Sequence, residues 1–260
     1  MARNAHRMDP LERLDRLPRD VSAGNLPSNS TPHRRPRRPP IRDFVNSAVA
    51  GDFTKTTQLA TSFLALTGSR LALYTDLFHA AQQYIEELWH VGRATVADEY
   101  RVYSAVENAF AALPGEPDLD VAGSPRILLA TLEPEHHDLG LRLVAAALAE
   151  AGWRCDLRTR ITGIDLVAIA TRARYALVGI SATYLSSEGR ARLAAVVASL
   201  RRLGIDVLAG GSAFVRSPLL AQDMGIEAVA TDARFAVLHA SWLARQQDRR
   251  RLYRPRTAAG

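Results

Sequence analysis

The chain has 260 residues, one cysteine and 33 basic against 27 acidic side chains, with 47% hydrophobic residues. That length suits one large or two small domains with apolar surface enough for a core. Cys155 alone excludes an internal disulfide and a zinc site built on several thiolates. No apolar run reaches the ~18 residues of a transmembrane helix, and MARNAHRMDPLERLDRLPRD lacks the apolar stretch of a signal peptide, so a reduced, cytoplasmic protein with no membrane partner is expected.

The charge is unevenly placed. Residues 1–43 hold ten Arg against five acids and residues 245–260 hold six Arg against one, so each end carries +5 and the body between them −4. Residues 1–40 and 246–260 read as disordered, solubilising tails, since Lys55 is the only lysine and arginine is the general basic residue. Contact of HRRPRRPP and ARQQDRRRLYRPR with nucleic-acid phosphates is the competing reading, weakened by the lack of helical periodicity and interleaved aromatics.

Prolines at 32–40 mark a linker, and order is expected from Ile41. From 41 to 113 apolar residues recur at three- and four-residue steps, with Phe44, Val45, Ala48 and Val49 as one stripe and Leu59, Phe63 and Leu66 as another. Gly51-Asp52 and Thr67-Gly68-Ser69 interrupt them, Ser69 as a candidate N-cap. Leu71 to Trp89 is a long amphipathic helix stopped by Gly92, and Thr95 opens the next with Asp98 as its capping-box partner. Four helices with short connections predict an antiparallel bundle that leans on a neighbour.

A linker at 114–125 precedes a different pattern over 126–245. RILLAT, WRCDLRT, YALVGIS, IDVLAGG and EAVAT alternate with amphipathic helical segments. Near-continuous apolar strands joined by helices predict an α/β fold with a doubly wound, five-stranded parallel sheet, whose ligands bind outside the carboxyl ends of the strands.

The first strand ends in Leu132-Glu133-Pro134-Glu135-His136-His137-Asp138-Leu139-Gly140. Imidazoles flanked by carboxylates on such a loop suit metal ligation, with a carboxylate holding the second ring nitrogen; a merely solvated polar loop is the alternative. The third strand ends in Ser181-Ala182-Thr183 and the fourth in Gly210-Gly211-Ser212, where glycines let a ligand approach the backbone. A phosphate loop is excluded, because no Gly-rich Lys-Ser/Thr loop opens the first helix.

Together these residues resemble the cobalamin-binding fold, a flavodoxin- or Rossmann-like domain. Glu135-x-His137-x-x-Gly140 matches the family's Asp/Glu-x-His-x-x-Gly motif, Ser181 its serine after the third strand with Thr183 nearby, and Gly210-Gly211 its glycine pair. The resemblance implies that His137 is the lower axial ligand to cobalt, displacing the cofactor's dimethylbenzimidazole, whose tail threads among Ser181, Thr183, Gly210 and Gly211. Glu135 would orient His137.

The bundle resembles the cap over the upper face of corrinoids in methionine synthase and in light-sensing cobalamin repressors. Trp89 and Glu99 match the photoreceptors' Trp, nine residues, then Glu-His, and His90 matches a histidine after that Trp, whereas Tyr100 stands where His is expected. Trp89 would cover an upper organic ligand, Glu99 accept from ribose hydroxyls, and His90 reach cobalt after that ligand leaves. His79 reads as bundle surface, Cys155 as a small buried hydrophobe, His239 as remote from the strand ends, and Trp153 as packing.

No segment is large enough for a mutase barrel or methyl-acceptor site, so the chain is not expected to be an enzyme by itself. Two readings follow: a light or redox sensor of adenosylcobalamin acting through a protein partner, or a corrinoid carrier presenting methylcobalamin to separate methyltransferases. Carriers tend to have Asp-x-His-Asp-x-Gly-Lys, whereas here the acid is Glu135 and Leu141 follows Gly140, so the sensor is preferred. Whether the chain forms a homo-oligomer is left open by the sequence.

Overall fold

The computed structural model describes residues 39–115, 124–173 and 175–252. The readings of residues 1–38 and 253–260 as tails and of most of the 114–125 linker lie outside these residues. The helical part comprises α1 (Ile41–Val49), α2 (Phe53–Thr67), α3 (Arg70–Ala72), a π-helical segment (Leu73–His79), α4 (Ala80–His90) and α5 (Val96–Ala111). The segment from α3 to α4 runs without a break, so it forms one long helix with a π insertion. Local chemistry sets the ends. Asp52 accepts the Lys55 N–H at 2.9 Å and Ser69 the Ala72 N–H at 3.1 Å, and Gly68 closes α2 at φ 62°. The Thr95–Asp98 capping box opens α5 with both of its bonds formed.

The remainder is β1 (Arg126–Leu132), α6 (Leu139–Glu150), β2 (Arg154–Ile161), α7 (Gly163–Arg172), β3 (Leu177–Ser181), α8 (Ser187–Arg202), β4 (Asp206–Gly210), α9 (Ser212–Val215), α10 (Pro218–Asp223), β5 (Ala228–Ala230) and α11 (Ala233–Leu252). All the strand pairs are parallel, in the order β2-β1-β3-β4-β5. This is the doubly wound sheet. α11 continues to Leu252, past the apolar pattern, because Gln247 donates to the Ala176 carbonyl and Arg250 pairs with Asp206, tying its polar end to the sheet.

The two-residue period of the strands sorts the core. Leu128, Ala130, Val178, Ile180 and Val207 face α7 and α8, while Ile127, Leu129, Leu177 and Leu208 face α6 and α11. α6 is buried on two sides. Leu141, Ala145 and Leu148 meet the sheet, and Leu139, Leu143, Ala146 and Ala147 complete the bundle core around Phe44, Tyr74, Phe78 and Val106. Bundle and sheet therefore share this helix. Ion pairs ring the contact: Arg70 to Glu150 at 3.2 Å, Arg142 to Glu107 at 3.1 Å, Arg234 to Asp76 at 3.0 Å and Arg216 to Glu86 at 3.4 Å. Exposed pairs contribute only ~0–1 kcal/mol each, so the apolar core holds the bundle in place and the pairs fix its register.

Candidate functional site

Parallel pairing aligns the strand ends, because Thr131 registers with Ser181, Ser181 with Gly210 and Gly210 with Ala230. The residues that follow these positions therefore emerge at one level. Thr131 is buried and its hydroxyl accepts the Arg160 N–H at 2.9 Å, which ties β2 to β1 at that level.

Glu135 is the organising residue of the β1–α6 loop. Its Oε1 lies 2.7 Å from His137 Nδ1 and accepts the His137 N–H at 2.9 Å, and its Oε2 accepts the Thr183 N–H at 2.6 Å. Burial pushes the Glu135 carboxyl up, but the N–H groups of Thr183 and His137 and the His137 ring outweigh it, so its pKa lies below the ordinary value. A carboxylate only accepts, so Nδ1 donates to it and Nε2 is the ring nitrogen left for another partner. The His137 side chain is 66% exposed against 10% for Glu135: the carboxylate is sunk in the loop and the imidazole projects from it.

His137 projects at a cleft of about 350 Å³ between the bundle and the strand ends. From the α/β side, Gly140, Ser181, Thr183, Gly210 and Gly211 line it with His137. Gly211 sits at φ 88°, where a Cβ would collide with the Ala182 carbonyl, so only glycine fits this corner. A Cβ on Gly179 would come 2.5 Å from Leu129 Cδ2; its absence lets β3 sit close to β1 beneath the cleft. His136 is exposed, and His137 alone of the pair lines the cleft. Among the described residues no three His, Cys, Asp or Glu side chains gather into a protein-only metal site, so a metal here would have to bring most of its own ligands.

From the bundle, Glu99 lines the cleft, half-buried, as do Tyr74, His79, Gln82, Gln83, Glu86 and Tyr103. Trp89 and His90 are not among the lining residues. Trp89 is 41% exposed and its ring meets His90 edge-on at 4.9 Å, while His90 Nδ1 lies 2.8 Å from the Glu86 carbonyl. Both sit in the last turn of α4, past the polar stripe that reaches the cleft. Tyr100, in place of the histidine of the photoreceptor pattern, is 71% exposed.

His79 differs from its reading as bundle surface. It ends the π segment and faces the cleft, where burial drives its pKa down against the pull of Asp232 and Glu86. The ring is thus held neutral, with a nitrogen lone pair available. A signal for this face was present, since His79, Gln82, Gln83 and Glu86 follow three- and four-residue spacing. Arg216 carries no such signal. Its Nη2 donates to the Thr183 carbonyl at 3.1 Å while Nη1 pairs with Glu86, so it links the β3 end to α4. Cys155 is buried and its thiol is pushed up to about 12 by burial and by Asp156, which leaves it inert.

Comparison with known proteins agrees with this layout. Residues 125–238 match the B12 binding domain family. No curated protein matches the chain. Among solved structures, the monomethylamine corrinoid protein of Methanosarcina barkeri superposes with a TM-score of 0.63 at 18% identity, covering 76% of this chain and 95% of that one. The fold, helical part included, is therefore shared with that protein. A cobalamin-binding protein from Desulfitobacterium hafniense (TM-score 0.41, 17% identity, 78% and 98% covered) is more distant in shape. So is the methanol:cobalamin methyltransferase complex MtaBC from Methanosarcina barkeri (0.42, 13%, 96% and 100%).

Proposed function

With residues 125–238 taken as the B12 binding domain they match, we propose that this chain holds cobalamin base-off with His137 beneath the cobalt, and reports the state of the upper face to a protein partner. The Glu135–His137 contact carries the reading. It presents an imidazole, oriented by a largely buried carboxylate, from the loop where a corrin ring would rest. Gly140, Ser181, Thr183, Gly210 and Gly211 form the wall against which the cofactor's nucleotide tail would lie, and Glu99, His79 and the glutamines would face the ring from above. Trp89 and His90 would join only if the end of α4 turns inward. Bound cobalamin would supply a cobalt–carbon bond that light or reduction can break; the protein orients the ring and limits water access. The chain is then a binding protein that needs a partner to act.

The sensor reading rests on the roof of the cleft. Arg216 ties Glu86 of the bundle to Thr183, whose N–H is held by Glu135, so the loop bearing His137 and the roof are joined by contiguous hydrogen bonds. A second reading, the corrinoid carrier, is favoured by the fold shared with the Methanosarcina barkeri corrinoid protein. The test is reconstitution with adenosylcobalamin in the dark, followed by absorption spectra and elution volume before and after green light. A lasting spectral change accompanied by a change in assembly is expected. Light that alters neither removes the sensor and leaves the carrier. Binding is tested separately: His137→Ala should abolish the base-off, His-on spectrum, and its retention would show that His137 is not the ligand.

A further inference from the structure

A second cavity, of about 860 Å³, lies on the α7–α8 face of the sheet, opposite the face that α6 and α11 cover. Its walls are apolar, built from Ile161, Val167, Ile180, Leu185, Leu193 and Val196. That volume falls in the range of small-molecule sites and is more than twice that of the corrinoid cleft. At its mouth stand Ile164 and Tyr184, 83% and 77% exposed, which continue the apolar wall out to the rim. A preformed apolar cavity continued by an apolar rim thus points to a ligand.

The polar residues on the wall define its chemistry. Arg192 is the one permanent cation among the described lining residues, and it is lightly engaged, since Glu188 stands 3.9 Å away with both side chains exposed. At the strand-end side the wall carries Glu133, which repels an anion, beside His136 and His137, while the Glu135 carboxylate is occupied by His137 and Thr183. An anionic head is therefore favoured at Arg192 and disfavoured near the strand ends. From Gly189 to Ser199, both lining residues, α8 extends the wall by ~15 Å, so the site is elongated.

We infer that this cavity binds an elongated apolar monocarboxylate, its chain lying between α7 and α8 and its carboxylate on Arg192. The apolar chain would lie on the other face of the sheet from the corrinoid cleft, and His137, Ile180, Ser181 and Thr183 border both.

The test is a fluorescence titration of the full chain with cis-parinaric acid and with its methyl ester, with and without cobalamin. Saturable 1:1 binding is expected, with the acid preferred about tenfold because a charge-assisted hydrogen bond is lost in the ester. Arg192→Ala should erase that preference, and Val167→Trp, which fills the cavity, should weaken both ligands at least tenfold while cobalamin still binds. If Val167→Trp fails to fold, Ile164→Asp at the exposed mouth should repel the acid more than the ester. Non-saturable uptake, equal affinity for acid and ester, displacement by cobalamin, unchanged binding in the filled variant, or occupation of the cavity by a second copy in sedimentation would each overturn the assignment.

Discussion

The two oxygens of Glu135 have different partners: Oε1 holds His137 Nδ1 at 2.7 Å, and Oε2 holds the Thr183 N–H at 2.6 Å. One carboxylate therefore positions a candidate metal ligand and anchors the end of the neighbouring strand. Glu135→Gln keeps the size but lets the amide donate where only an acceptor fits. Corrinoid affinity should fall about 10- to 100-fold, with the spectrum shifting away from the His-on form. Titration calorimetry and absorption spectra check this.

The same carboxylate gives a pH dependence. Folding holds the Glu135 carboxyl below its ordinary value, so as pH falls the unfolded chain takes up the proton first. The stabilisation is full above the unfolded value of ~4.3 and is lost as pH drops through the folded value. Denaturation of wild type and Glu135→Gln should differ most at neutral pH and converge in acid; an unchanged gap at pH 3 would contradict it.

Gly211→Ala places a Cβ against the Ala182 carbonyl at φ 88°. Backbone strain of this kind costs ~1–3 kcal/mol. The melting temperature should drop by several degrees, and corrinoid binding should weaken because the cleft corner must shift. A melting curve that overlays wild type would refute this.

Arg216→Ala removes the link between Thr183 and Glu86. Since exposed pairs are worth only ~0–1 kcal/mol, stability should hardly change. The roof should loosen, seen as faster amide exchange in α4 and faster corrinoid release.

His79 and His90 separate two views of the bundle. His79→Ala should alter the bound corrinoid's spectrum and lower affinity severalfold, because His79 lines the cleft. His90→Ala should leave both unchanged unless the end of α4 moves on binding or illumination. Spectra of the two variants in dark and light decide.

The sheet and the strand-end loops were legible because their signals are local. Glu135, His137 and Gly140 are fixed by a six-residue spacing, and apolar strands separated by helices leave little topological choice. The bundle side was less legible. Trp89, Glu99 and His90 follow from the resemblance to the photoreceptor pattern, yet whether a helical residue reaches a cleft depends on the helix's rotation, and the π insertion at Leu73–His79 resets that rotation in the helix bearing Trp89 and His90. Trp89, on that helix, lies outside the cleft lining, whereas Glu99, on α5, belongs to it. Arg216 and the cavity between α7 and α8 depend on contacts between distant segments, which leave no pattern in the chain.

α6 lends Leu143 and Ala147 to one core and Leu141 and Leu148 to the other. A helix shared in this way makes the two cores cooperative, because neither can melt without stripping α6 from its partner. Calorimetry should therefore show one transition, not two. Cutting the chain between bundle and sheet should leave fragments that expose α6 or its docking groove and aggregate. Any movement of the roof must then be a sliding of packed helices over α6, small in amplitude and reversible.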